Sequence, residues 1–314
     1  METLTKSTTK DSFIQANTKE TKLDFLKQET IIPAFAKDNE STISHVEFIE
    51  SIREATELIF RGEQILDPVI RVSHPIKGRI PEAKGKPAKD LMEHEKTLYY
   101  ERMTFLIEIE SIQKTINGEN LSLSVGGVRA YNQENLYNRK SPERFKVFIG
   151  FKNWVCTNLC ISTDGYRDDL KVQSFRELTE QSLGLFQSFD QERYILQLQQ
   201  LQQLQLGHHE FSHIIGRAKQ YINLPSDLKE GKPYFPLGDS QLSQMIRGYY
   251  SLITDENQTI SLWDFYNLMT AANKSSYIDV NLDRNVKCFE FSHMLGKAFS
   301  DQTKNWFTHR LLNN

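Results

Sequence analysis

Three cysteines in 314 residues, an odd number without paired spacing, offer no disulfide framework and point to a reducing compartment. No run approaches the ~18 apolar residues of a membrane span. The opening METLTKSTTKDSFIQANTKETKLDF lacks the apolar core of a secretory leader and carries acids that a transit peptide avoids. The expectation is a cytoplasmic protein with no membrane partner. A Walker loop, a dinucleotide-binding glycine fingerprint and a G-x-S-x-G elbow are all missing, so no cofactor is expected. Charge of one sign is scarce as well: 38 Lys and Arg against 41 Asp and Glu leave a net charge of -3. That excludes a generally basic nucleic-acid binder and confines any such role to local clusters. What remains is 39% hydrophobic residues, enough for a real core, and a length that allows about two domains.

The chain is organised around LSLSVGGVRAYNQENLYNRKSPERFKVFIGFKNWVCTNLCISTDG, residues 121–165, which hold the clearest strand patterns and the only Gly-Gly pair. Leu121, Leu123 and Val125 fall on odd positions, whereas Val128 and Ala130 fall on even ones. A one-residue bulge at Gly126-Gly127 would keep both sets on one face. From Phe145 through Val147, Ile149, Phe151, Val155, Leu159 and Ile161 the odd positions are apolar, a run too long for one strand, so a break is expected near 150–153. The even positions carry Arg144, Lys146, Phe148, Lys152 and Trp154. Cations interleaved with aromatics suit the stacking of unpaired bases; the competing reading is that these aromatics are core beneath covering helices.

Along the chain, residues 1–30 are polar and without period, expected as a mobile tail, with order beginning at Ile31-Ile32-Pro33. Residues 31–173 form the expected sheet domain and 174–314 a helical region packed on it. Ser44 with Glu47 forms a capping box for a helix ending near Arg61-Gly62. After a short strand at 69–73, residues 71–89 form a basic loop with Lys77, Arg79, Lys84 and Lys86, its prolines denying it a ladder. It reads either as a phosphate-tracking arm or as a solvated loop. A strand at 99–112 runs into Asn117-Gly118, a strong hairpin signal. In the helical half, Leu198, Leu201 and Leu204 recur through the Gln-rich LQLQQLQQLQLG, and helices are expected at about 240–252, 262–273 (Ser261 and Asp264 as a capping box) and 286–300. Trp306 and Phe307 are expected to fold back as an anchor.

The sharpest motif is His209-Glu210-Phe211-Ser212-His213, a literal HExxH. Against a zinc site, Lys219 stands where a third His belongs, and the chain repeats Glu-Phe-Ser-His at Glu290 with Phe289 in place of the first ligand. A pattern that survives the loss of a ligand is better read as a helix-packing element, so no metal is expected, His209 and His213 being the alternative. Cys156 and Cys160 would sit ~13 Å apart along a strand, too far for one metal.

The blocks ISHVEFIE, RVSHPIKGRIPEA, HEKTLYYERM, SVGGVRAYNQENLY, FIGFKNWVCTNLCISTDG and ANKSSYIDVNLDRNV together resemble a bacterial mobile-element family, domain of unknown function 3871, over about 30–310. More distantly, the VCTN block and SLWDFYNLMTAAN resemble the phage and plasmid family called domain of unknown function 932. Neither family has an assigned activity; the resemblance implies the setting of plasmids, prophages or conjugative elements.

The sequence therefore predicts an α+β fold, a central antiparallel sheet with a mainly helical C-terminal half packed on it. The leading function is a non-enzymatic nucleic-acid-associated accessory protein of such an element, binding single strands through Lys77, Arg79, Lys84, Lys86, Arg144, Lys146, Phe148, Lys152 and Trp154. The alternative is an assembly factor that binds other proteins of the element and docks through the Leu/Gln helix. A metallohydrolase at the HEFSH motif is third.

Overall fold

The computed structural model describes residues 12–29, 43–83, 85–133, 142–309 and 311. Its centre is a seven-stranded antiparallel sheet built from β1 (Lys19–Thr21), β2 (Val69–Val72), β5 (Arg102–Ile116), β6 (Glu119–Ala130), β7 (Glu143–Asn153), β8 (Leu159–Cys160) and β9 (Tyr166–Val172). The order is β1-β2-β5-β6-β7, with β8 and β9 both lying against the far side of β7, at Phe151–Lys152 and Glu143–Phe148 respectively. The β5–β6 hairpin turns at Asn117 and Gly118, whose φ of 51° and 76° are those of a type I′ turn, as the Asn-Gly pair predicts.

Both faces of this sheet are covered, which is why β6 is buried without interruption from Leu121 to Ala130. On one face α2 (His45–Ile59), capped by Ser44 and Glu47 as expected, joins α3 (Phe175–Ser188) and α4 (Gln191–Gln203) over the odd residues Phe105, Val125, Phe145 and Ile149. Phe48 of α2 packs there against Phe105 and Phe145, with ring centroids 5.1 and 4.6 Å away. On the other face α9 (Ile278–Ser300) lays Ile278, Leu282 and Val286 on Leu106, Val128 and Phe148, helped by Phe13 and Ile14.

Two-sided burial corrects the expected glycine bulge. Pairing runs unbroken through Phe105–Gly127, Leu106–Gly126, Gly126–Phe148 and Gly127–Val147, and the register shift in β5 lies between Ile109 and Gln113 instead. Val128 changes parity because it belongs to the second core, not because the strand slips. The glycines are there for room: a Cβ on Gly127 would stand 2.5 Å from the Phe48 ring, and one on Gly126 3.0 Å from that of Phe148.

Three further expectations are corrected. Residues 12–29 are not a free tail: β1 pairs with β2, α1 (Leu23–Glu29) follows, and Phe13, Ile14 and Leu26 are buried. The expected start of order at residues 31–33 lies outside the described residues. The basic loop does form a ladder, β3 (Pro75–Arg79) pairing with β4 (Lys96–Tyr100); Pro75 is tolerated because it opens the strand. Cys156 and Cys160 do not share a strand. The run breaks after Asn153, where a reverse turn with Thr157 at φ 54° folds Cys160 back beside Phe151.

In the helical half the two-residue strands β10 (Gln205–Leu206) and β11 (Ile260–Ser261) pair, bringing α4 beside α8 (Leu262–Asn273), whose Ser261–Asp264 capping box is present as expected. Trp263, Phe265, Tyr266 and Met269 make α8 the centre of this half. Around it pack α5 (His208–Asn223), α7 (Asp239–Leu252) and α9, while α6 (Ser226–Lys229) is a single turn. Phe307 is fully buried against Phe235 and Phe291, closing the helical half as an anchor. No helix among the described residues is long and apolar enough to cross a membrane.

Candidate functional site

Of the residues that sequence reasoning assigned to a basic arm and to the even face of the 144–154 strand, several are engaged within the fold. Phe148 is wholly buried beneath α9 and presents no ring face to a base. Lys146 turns its ammonium to the Asp279 carbonyl (2.6 Å) and the Asp283 carboxylate (2.5 Å), both on α9. Lys152 pairs with Glu108 at 2.5 Å across the sheet. Arg144 is half exposed with Asp169 at 3.4 Å. Trp154, 40% exposed, lies beyond the end of β7 in the turn, its backbone N–H donating to the Asn120 carbonyl. On the arm, Arg79 donates to the Lys86 carbonyl and Lys86 pairs with Glu95, holding that carboxyl below its usual range. Lys77 is exposed, and Lys84 lies outside the described residues.

The HEFSH motif serves α5. Glu210 accepts the Gly207 N–H at 3.0 Å, closing the first turn as a capping residue does. His209 is exposed, whereas the His213 ring faces the backbone of Phe307 and His309, and burial, with Arg217 and His209 nearby, lowers its pKa. Among the described residues no three His, Cys, Asp or Glu side chains converge as metal ligands. The repeat reading is visible in the packing: Phe211 and Phe291 lie on the same ring, Phe265, at 6.2 and 6.5 Å. Its glycines part company. Gly216 has nothing within 4 Å, while a Cβ on Gly296 would meet Leu201 and Leu204 at 3.4 Å.

That close approach at Gly296 forms the floor of a groove between α4 and α9. Two hollows, of about 720 and 410 Å³, share His293 and Lys297 as a common wall. Leu198 and Leu201 of the Gln-rich helix are buried, so its docking face is already used inside the fold. The same three-residue repeat sets Gln197, Gln200 and Gln203 along the groove, and none of these amides makes a hydrogen bond among the described residues. Charge in the groove is mixed and mostly engaged. Asp164 accepts from Ser162 and pairs with Arg193 at 3.0 Å; Glu290 accepts from Thr163 at 2.9 Å and pairs with Lys287 at 2.7 Å. The His293 ring stacks on Phe289, and burial, with Lys297 nearby, lowers its pKa. Lys297 is exposed and has no ion pair among the described residues; Asp301 stands at the far end.

Sequence reasoning missed this groove because its walls lie some hundred residues apart; the Gln spacing opposite the Leu spacing was the one signal present. No curated protein and no solved structure matches the chain. A family model does, over residues 1–308, under the description "Domain of unknown function, B. Theta Gene description (DUF3871)", and the chain belongs to that family.

Proposed function

We propose that the chain is a non-enzymatic protein-interaction factor that receives a segment of a partner polypeptide in the α4–α9 groove. The observation that carries this reading is the contrast between two surfaces. On the β7 face Lys146 and Lys152 already have carboxylate partners and Phe148 lies under a helix, so little is left there to stack bases or neutralise phosphates. In the groove three glutamine amides, each a donor and an acceptor, have no partner among the described residues, and the balance of charge is near neutral. A polyanion gains little from such a surface, whereas polypeptide supplies the matching N–H and C=O groups. Among the described residues a nucleic-acid role would have to stand on Lys77, Arg144 and Trp154, which lie on β3, on β7 and in the turn after β7. The setting implied by the family resemblance, a bacterial mobile element and its cytoplasm, with a distant kinship to the family called domain of unknown function 932, suits an assembly role of this kind.

The test is isolation of the tagged chain from its native cell beside a Gln200→Trp variant, which fills the groove from an exposed position. The reading expects a discrete protein retained by the wild type, resistant to nuclease and lost from the variant. Retention of nuclease-sensitive nucleic acid, unaffected by the variant, would contradict it.

A further inference from the structure

Resting on the docking reading, we infer that the groove takes an extended, acidic segment of four or five residues, a carboxylate of which pairs with Lys297. The shape argument starts from the amides. A helical ligand has its backbone groups bonded within itself and none to offer, whereas an extended strand leaves N–H and C=O free for Gln197, Gln200 and Gln203. From Arg193 to Gln203 the helix rises ~15 Å, which matches four to five extended residues at ~3.3 Å each. The charge argument follows from what is already paired. Arg193 holds Asp164, and Glu290 holds Thr163 and Lys287, so among the described charged wall residues only Lys297 and Asp301 lack an ion pair, and in the half toward Arg193 Lys297 is the one cation left over. His293 beside it carries no hydrogen bond from a described residue and supplies a ring nitrogen to the same carboxylate or a neighbouring amide. Asp301 at the far end repels a second carboxylate there, which places the acidic residue toward the Arg193 end and Lys297.

Random heptapeptides displayed on phage and panned on the immobilised full-length chain test this, with K297E and Gln200→Trp proteins panned in parallel. Lys297 is exposed, so charge reversal leaves the core untouched, and a thermal melt of each variant checks folding. The expected result is enrichment of Asp- or Glu-bearing peptides on the wild type, binding about tenfold or more weaker to K297E, with Lys- or Arg-bearing peptides enriched on K297E instead. Peptides lost from Gln200→Trp but indifferent to K297E would overturn this inference while leaving the groove as a docking site. No enrichment on the wild type, or displacement of bound peptide by oligothymidylate, would overturn the docking reading with it.

Discussion

Phe148 and Trp154 lie six positions apart on the same parity, and only their surroundings separate them. With its ring fully buried on Gly126 and beneath Leu282, Phe148 is a core residue, so Phe148→Ala should cost ~3–5 kcal/mol in urea unfolding. Trp154→Ala should cost under about 1 kcal/mol, since much of that ring is already in water. Equal losses at the two positions would contradict the two-sided sheet. His45 shows the same dependence on surroundings in its ionisation. Full burial first, then the Arg129 guanidinium, lower its pKa to about 3, and its Nε2–H donates to the Tyr100 carbonyl at 2.8 Å. A histidine whose folded pKa lies below its unfolded value near 6.5 leaves stability whole above pH 6.5 and removes it as pH falls from there toward 3, because the unfolded chain takes up the proton first. Unfolding at pH 7 and pH 5 should therefore differ by roughly 2 kcal/mol more for the wild type than for His45→Gln, at ~1.4 kcal/mol per unit. An identical pH dependence in the two proteins would show that the ring is not buried neutral.

Among the elements, α5 carries the most enzyme-like signature and uses it for helix geometry. If Glu210 caps α5, Glu210→Ala should lower stability by ~1 kcal/mol and Glu210→Gln, which keeps an acceptor for the Gly207 N–H, by less. Thermal melts of the pair decide the matter; equal and negligible effects would leave the glutamate without a structural role. Elements whose signals are local were legible in the sequence. The boxes Ser44–Glu47 and Ser261–Asp264 and the Asn117-Gly118 turn sit where their residues place them, because each is decided within four positions of the chain. The start of α9 was not legible: it begins at Ile278 rather than about 286. Its first two turns, IDVNLDRN, read as polar because their buried face carries Asn281 and Asn285, which bond to Asn273 and the Leu159 carbonyl, while Asp283 meets Lys146 from across the core. Polar residues buried against polar partners defeat hydrophobic periodicity. The same eight residues close the sheet face that the base-stacking reading needed open, as the competing reading of a covering helix layer had it for Phe148.

At the scale of the whole molecule, the central sheet is covered on both sides, and the docking groove proposed above lies among the helices. The groove joins Gln197–Gln203 to His293–Lys297, and no local pattern in either segment announces the other. What the sequence did carry was the Leu spacing that fastens α4 to the core and the Gln spacing that turns amides outward, together with the near-zero charge that argues against a polyanion partner. The most direct measurement of this account places a photo-crosslinking amino acid at Gln200 in the groove and, as a control, at exposed Glu180 on α3, then irradiates living cells of the native host. The account predicts a discrete protein adduct at Gln200 that is absent at Glu180. Adducts to nucleic acid at Gln200, or the same protein pattern from both positions, would contradict it.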